Sequence, residues 1–282
     1  MTLAIYFCII LFTVTNSVTV KFYNRSGGSS LFFNTTKSLT ATVLMLIMCM
    51  GNFSFHPETL LFGTCYGAAL TISTYAGYKA LCLGPMSLTS LIVSFSVTFP
   101  LLYGIFFCHE KLTVFKTAGL AFLVLAIIAS NLGKAQKEKS FDKKWFLFVA
   151  TTFVSNGICS VLQAMHQRAY PGKYASEFML YAMLLCSLIF LITASLRIKP
   201  ADIRTIRGKA FPFVAGIANV LANLLTTVLA GAENASVLFP AITAGTIFAN
   251  LVCGVALFRE KLRTGHHLAI FSGIAAVVLL KL

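Results

Sequence analysis

Read for hydrophobicity alone, the chain alternates between long apolar runs and short polar breaks. Ten runs stand out, at 2–22, 31–51, 58–80, 86–107, 112–132, 145–168, 175–196, 210–231, 235–258 and 264–281. Each is close to the roughly 20 residues an α-helix needs to cross the hydrocarbon core of a bilayer. The pattern predicts an all-α membrane protein of ten transmembrane helices, with no segment left over for a soluble domain. The first run lacks the basic start and small-residue cleavage site of a signal peptide, so it reads as a first transmembrane helix.

Composition agrees. Hydrophobic residues make up 58% of the 282 and charged ones 11%, against roughly 45–50% and about 25% in a soluble domain. The net charge of +14 could point to nucleic acid, but that needs basic residues gathered on a soluble face. Here they sit in short connections, so the expected partners are the lipid bilayer and a small-molecule substrate, with no nucleic acid. Cysteines 8, 49, 65, 82, 108, 159, 186 and 253 lie inside the apolar runs and none forms a Cys-x-x-Cys pair. They read as small buried hydrophobes, with neither disulfide nor metal expected.

The polar breaks repeat. Glu110-Lys111-Leu112 recurs as Glu260-Lys261-Leu262, 150 residues later. "TNS" at 15–17 matches "SNG" at 155–157, and Lys37 follows Asn16 by 21 residues as Glu177 follows Asn156, an offset of 140. The longer connection "RIKPADIRTIRGK" at 197–209, set against "GNFSFHPE" at 51–58, accounts for the difference between the two offsets. The chain therefore divides into a five-helix repeat at 1–132, a basic linker at 133–144 and a second five-helix repeat at 145–282. An odd number of helices makes the second copy enter the membrane in the opposite sense, and inverted repeats of this kind build many secondary transporters.

With its two five-helix repeats, a Glu-x-Leu turn near the end of each, "TNS" and "SNG" in the first helices and a proline in each penultimate helix, the chain resembles the drug/metabolite transporter superfamily, EamA-like branch. The first helix lacks the usual Trp-Gly, and the glycine before the turn glutamate is His109 in one copy and Arg259 in the other. The resemblance implies export of amino acids or related metabolites, and a bacterial cytoplasmic membrane. It also implies termini inside, whereas 17 of the 22 Lys and Arg fall on the opposite set of connections and by the positive-inside rule put both termini outside.

Polar side chains at helical spacing mark faces turned from lipid. They select a cavity lined by helices 1, 3, 4, 6, 8 and 9, with Asn16, Tyr75, Tyr78, Asn156, Gln163, Asn219, Asn223 and Asn250 as candidate substrate contacts. Gln167 continues the helix 6 stripe. Small-polar stripes also serve plain helix packing. Helices 5 and 10 show no stripe and stand outside, as scaffold or as a homodimer contact. Lys37 and Glu177, at equivalent positions with opposite charge, are candidates for a charge pair, a coupling element or a substrate anchor, or for interfacial snorkelling. Pro100 and Pro240 are candidate hinges.

No carboxylate lies near the middle of a run, which argues against proton-coupled extrusion of lipophilic cations. No Walker motif, nucleophile elbow or His-Glu-x-x-His is present, so neither enzyme activity nor a cofactor is expected. The expectation is a secondary active transporter exporting small polar or zwitterionic metabolites such as amino acids by alternating access. The alternatives are a multidrug or lipophilic-compound exporter and a passive channel.

Overall fold

The computed structural model describes residues 2–26, 29–51, 53–83, 92–110, 113–131, 143–197, 208, 210–258 and 264–281. Among these residues there is no strand, and the helices run in the order α1 Thr2–Arg25, α2 Ser30–Cys49, α3 Pro57–Leu83, α4 Thr98–Phe106, α5 Val114–Asn131, α6 Lys143–Ala169, α7 Ala175–Arg197, α8 Ala210–Ala230, α9 Ala235–Phe258 and α10 Thr264–Lys281. Six of them, α1, α2, α6, α7, α8 and α9, are long and apolar enough to cross a membrane. These are the helices of an integral membrane protein.

Local chemistry sets the helix ends. Pro57 opens α3, where its missing N–H costs nothing, and Glu58 follows in the first turn against the helix dipole. After α6, Pro171 and Gly172 (φ +69°) reverse the chain, and Tyr174 adopts a left-handed φ of +54° before α7 begins. The basic linker ends two residues earlier than expected, because Lys143 and Lys144 already belong to α6. Residues 132–142 lie outside the described residues, as do Lys111, Leu112 and 259–263, which include the second Glu-Lys-Leu.

The fourth apolar run is not one uninterrupted helix. From Ile92 it passes through a 3₁₀ turn at Phe95–Val97 before α4 starts at Thr98. Pro100 accounts for this. Its ring has no N–H to offer the carbonyl four residues back and crowds that carbonyl, so the preceding turn tightens. Pro240, the sixth residue of α9, leaves its helix α-helical throughout.

The chain forms two compact units. The first comprises residues 1–71 and 165–231. In it α1 packs on α8, and α2 lies against both α7 and α8. Tyr23, Phe33 and Ala215 form its aromatic layer with Val20, Phe32 and Phe211. The α2–α7 contact is fixed by two buried hydroxyls, Thr35 Oγ1 donating to the Phe190 carbonyl at 3.3 Å and Thr42 Oγ1 to the Met183 carbonyl at 2.9 Å. As residue numbers rise on α2 they fall on α7, so the two helices are antiparallel. Glycines bring backbones together: a Cβ on Gly67 would lie 2.6 Å from the Ala182 carbonyl oxygen, and one on Gly216 2.5 Å from that of Lys37. Close approach through small residues is how helices associate where lipid removes the hydrophobic drive. The other side of α7 presents Leu184, Leu188, Leu191 and Ile192 outward.

The second unit comprises residues 72–164 and 232–282. Here α5 packs along α10, and α9 touches α4, α5 and α10. Leu123, Ile127, Ala244 and Ala276 form one core cluster, and Ala80, Trp145 and Val149 another. Helix α10 exposes Leu268, Phe271, Ile274 and Val278, spaced by three and four residues along one face.

Candidate functional site

In the second unit the Asn156 amide of α6 is engaged, its Oδ1 accepting a 2.6 Å hydrogen bond from Ser73 Oγ on α3. Tyr75, two residues along α3 from Ser73, is exposed, stands edge-on to Phe148 and carries the Lys79 ammonium 5.8 Å from its ring centroid. Tyr78 and Asn250 are half-buried and Gln163 is buried.

In the first unit Asn223 of α8 accepts from the Tyr66 hydroxyl at 2.8 Å through Oδ1 and donates from Nδ2 to the Asn219 carbonyl at 2.8 Å. Asn16, on α1, has a buried Oδ1 with no hydrogen-bond partner among the described residues. Lys37, half-buried on α2, has no ion pair or hydrogen bond among the described residues.

Lys37 and Glu177 do not form a pair. The antiparallel register set by Thr35 and Thr42 puts Lys37 level with residue 188 of α7 and Glu177 level with residue 48 of α2. Eleven residues separate those levels, about 16 Å along the axis. Glu177 is buried in the first turn of α7 and accepts from the Ser54 backbone N–H at 3.2 Å. It ties down the segment between α2 and α3 at one end of the span.

Gln167 does not line a cavity either. Its Nε2 donates to the Lys173 carbonyl at 3.0 Å and its Oε1 accepts from Gly172 N–H at 3.2 Å, so both ends of the amide hold the α6–α7 turn. That turn is wrapped in rings: His56 stacks on Tyr174 and meets Tyr170 edge-on, while His166 stacks on Phe178. Tyr170 donates to Glu58, and this bond, more than any other contribution, raises its hydroxyl to about 12. A raised folded-state value stabilises fully below the ordinary tyrosine range near 10 and is lost as pH rises through about 12. Ultraviolet tyrosinate titration should therefore show a group ionising near 12 that is lost in Tyr170→Phe and moves back toward the ordinary range in Glu58→Gln.

The repeated Glu-Lys-Leu word has a structural role that spacing did not reveal. Helix α4 ends in a widened turn, with Cys108 N–H on the Tyr103 carbonyl and Glu110 N–H on the Gly104 carbonyl, and His109 left-handed at φ +53°. That conformation suits glycine, the residue usual before the turn glutamate in the resembling family. The turn aims the Glu110 carboxylate at the start of α9, where Oε1 accepts from Ala235 N–H at 3.0 Å and Oε2 from Ser236 N–H at 2.9 Å. Val237 and Leu238 N–H bond the Asn234 carbonyl. The N–H groups of the first three residues of α9, which have no partner one turn back in the helix, are thus satisfied, and Leu238 makes the first regular i→i−4 bond. Gly104 makes room, since a Cβ there would lie 2.6 Å from Glu110 Oε2.

No family model matches the sequence, and no curated protein does. Twenty-nine solved chains resemble the fold. One, described only as "Crystal structure of protein", superposes with a TM-score of 0.77 over 99% of this chain and 95% of its own, at 15% identity. At that identity the likeness shows a shared fold and no more.

Proposed function

We propose that the protein is a secondary transporter of the EamA-like, drug/metabolite type. In this reading ten spans form two inverted five-helix repeats, and small polar or zwitterionic metabolites such as amino acids are exported by alternating access. The observation that carries the reading is a pair of equivalent polar contacts. With the offsets of 140 and 150, Asn156 corresponds to Asn16 and Ser73 to Asn223. One pair is bonded, Ser73 to Asn156; in the other, Tyr66 occupies Asn223 and Asn16 Oδ1 stands without a partner. A repeat whose two copies differ in one polar contact has the asymmetry that alternating access needs, since only one side of the site is open at a time. The antiparallel crossing of α2 and α7, equivalent helices in the two repeats, also supports it, as does the absence of a nucleotide-binding motif.

The test is counterflow in proteoliposomes with the Asn156→Ala/Asn223→Ala double variant. If both amides contact substrate, their loss should lower kcat/KM about 10- to 100-fold. Unchanged kinetics would reject these residues as substrate contacts. A wild-type flux that neither saturates nor shows counterflow would replace the carrier with a channel.

A further inference from the structure

Three polar side chains of the first unit share one level of the membrane span. The end of α1 meets the start of α8, where Phe22 stacks on Phe211 at 5.7 Å, and the start of α2, where the Tyr23 hydroxyl donates to the Ser29 carbonyl. From this aromatic layer α1 runs back while α2 and α8 run forward. Asn16 lies six residues before Phe22, Lys37 seven after Ser30 and Asn219 eight after Phe211. At 1.5 Å per residue all three are about 9–12 Å into the span. The Gly216 contact with the Lys37 carbonyl keeps α8 and α2 close one turn from Asn219.

The three groups are unspent. Asn16 Oδ1 is buried and unpartnered. The Asn219 side chain makes no hydrogen bond among the described residues, only its carbonyl being used by Asn223. Lys37, seven residues inside the start of α2, has no carboxylate partner among the described residues. A cation inside a span with no countercharge is costly, and such residues mark substrate paths. The missing countercharge has to be an anion.

We propose that Asn16, Lys37 and Asn219 bind the carboxylate end of a small α-amino or α-hydroxy acid. The Lys37 ammonium and an Asn219 N–H donate to the two carboxylate oxygens. Asn16 Oδ1 accepts from the ammonium or hydroxyl on the adjacent carbon. An uncharged amide loses the ionic contact, and a plain fatty acid leaves Asn16 unsatisfied. The assignment deepens the transport reading above, and rests on it for calling the ligand a substrate.

Binding is measured by thermal shift on the detergent-solubilised full chain, using the common L-amino acids, L-lactate, propionate and the amino acid amides as probes. At least one amino or hydroxy acid should stabilise the wild type, with its amide about 10- to 100-fold weaker. Lys37→Met should abolish the response and Lys37→Arg should restore it; Asn16→Ala should erase the preference for lactate over propionate. Amides binding as well as acids, wild-type affinity in Lys37→Met, or no acid binding at all would each overturn the proposal. Because the wild-type comparison of acid with amide needs no variant, a poorly folding Lys37→Met leaves the test intact. Counterflow separates the two readings. Acid binding that depends on Lys37 without counterflow rejects transport and keeps the site, whereas counterflow with an unchanged KM in Lys37→Met keeps transport and rejects the site.

Discussion

Gly67→Ala is expected to destabilise the protein by about 1–3 kcal/mol, the cost of overpacking a close contact. The added methyl would sit 2.6 Å from the Ala182 carbonyl oxygen and 3.0 Å from its Cα. Those are backbone atoms of α7, and they can yield only if the helix moves. Gly157→Ala meets a still closer neighbour, with Phe99 Cγ at 2.3 Å and its Cβ at 2.9 Å; the near end of a side chain cannot swing clear of its own backbone, so a loss at least as large is expected there. Gly51→Ala has nothing within 4 Å and should fall within about 0.5 kcal/mol of wild type. Thermal unfolding of the three purified variants checks the order. If Gly67→Ala melts with Gly51→Ala, the α3–α7 approach is looser than described.

Glu110→Ala is the second large effect. The carboxylate holds two helix N-terminal amides in charge-assisted bonds at 3.0 and 2.9 Å, and favourable dipole alignment adds to them. Removing it should cost about 1–3 kcal/mol. Glu110→Gln, which keeps one acceptor and turns a donor toward an N–H, should lie between. The direct readout is hydrogen exchange at Ala235 and Ser236, which should speed up in Glu110→Ala while the middle of α9 keeps its protection. Unchanged exchange at those two amides would remove the cap from the account.

The helices were legible because lipid imposes their length and their apolarity together. The boundaries of α9 and α10 agree with the sequence reading to the residue, since charged residues flank both apolar runs and leave little choice. The fourth run misled where Pro100 acted upstream of itself, tightening a turn that contains no unusual residue. Among the polar candidates, the sequence could not say which were already engaged in bonds of the fold. Gln167 and Gln163 stand one turn apart on α6 and look alike in sequence, but Gln167 is consumed by a turn that offers it the Lys173 carbonyl and the Gly172 N–H. Lys37 and Glu177 match in repeat position, yet their separation follows from the α2–α7 register, which no one-dimensional spacing contains. The Glu-Lys-Leu word was visible as a repeat, but its glutamate acts on residues 125 positions away.

The two threonine bonds between α2 and α7 also bear on how this pair of helices can move. Thr35 and Thr42 are two turns apart on α2, and the carbonyls they hold, on Phe190 and Met183, are two turns apart on α7. A small axial slip would break both cross-helix bonds at once, leaving Thr35 only the Leu31 carbonyl and Thr42 only the Ser38 carbonyl of their own helix. The next position where both regain a carbonyl of α7 is a full helical turn away, about 5.4 Å. Sliding between these helices is therefore notched like a ratchet, while swivelling about the line joining them keeps both bonds and stays smooth.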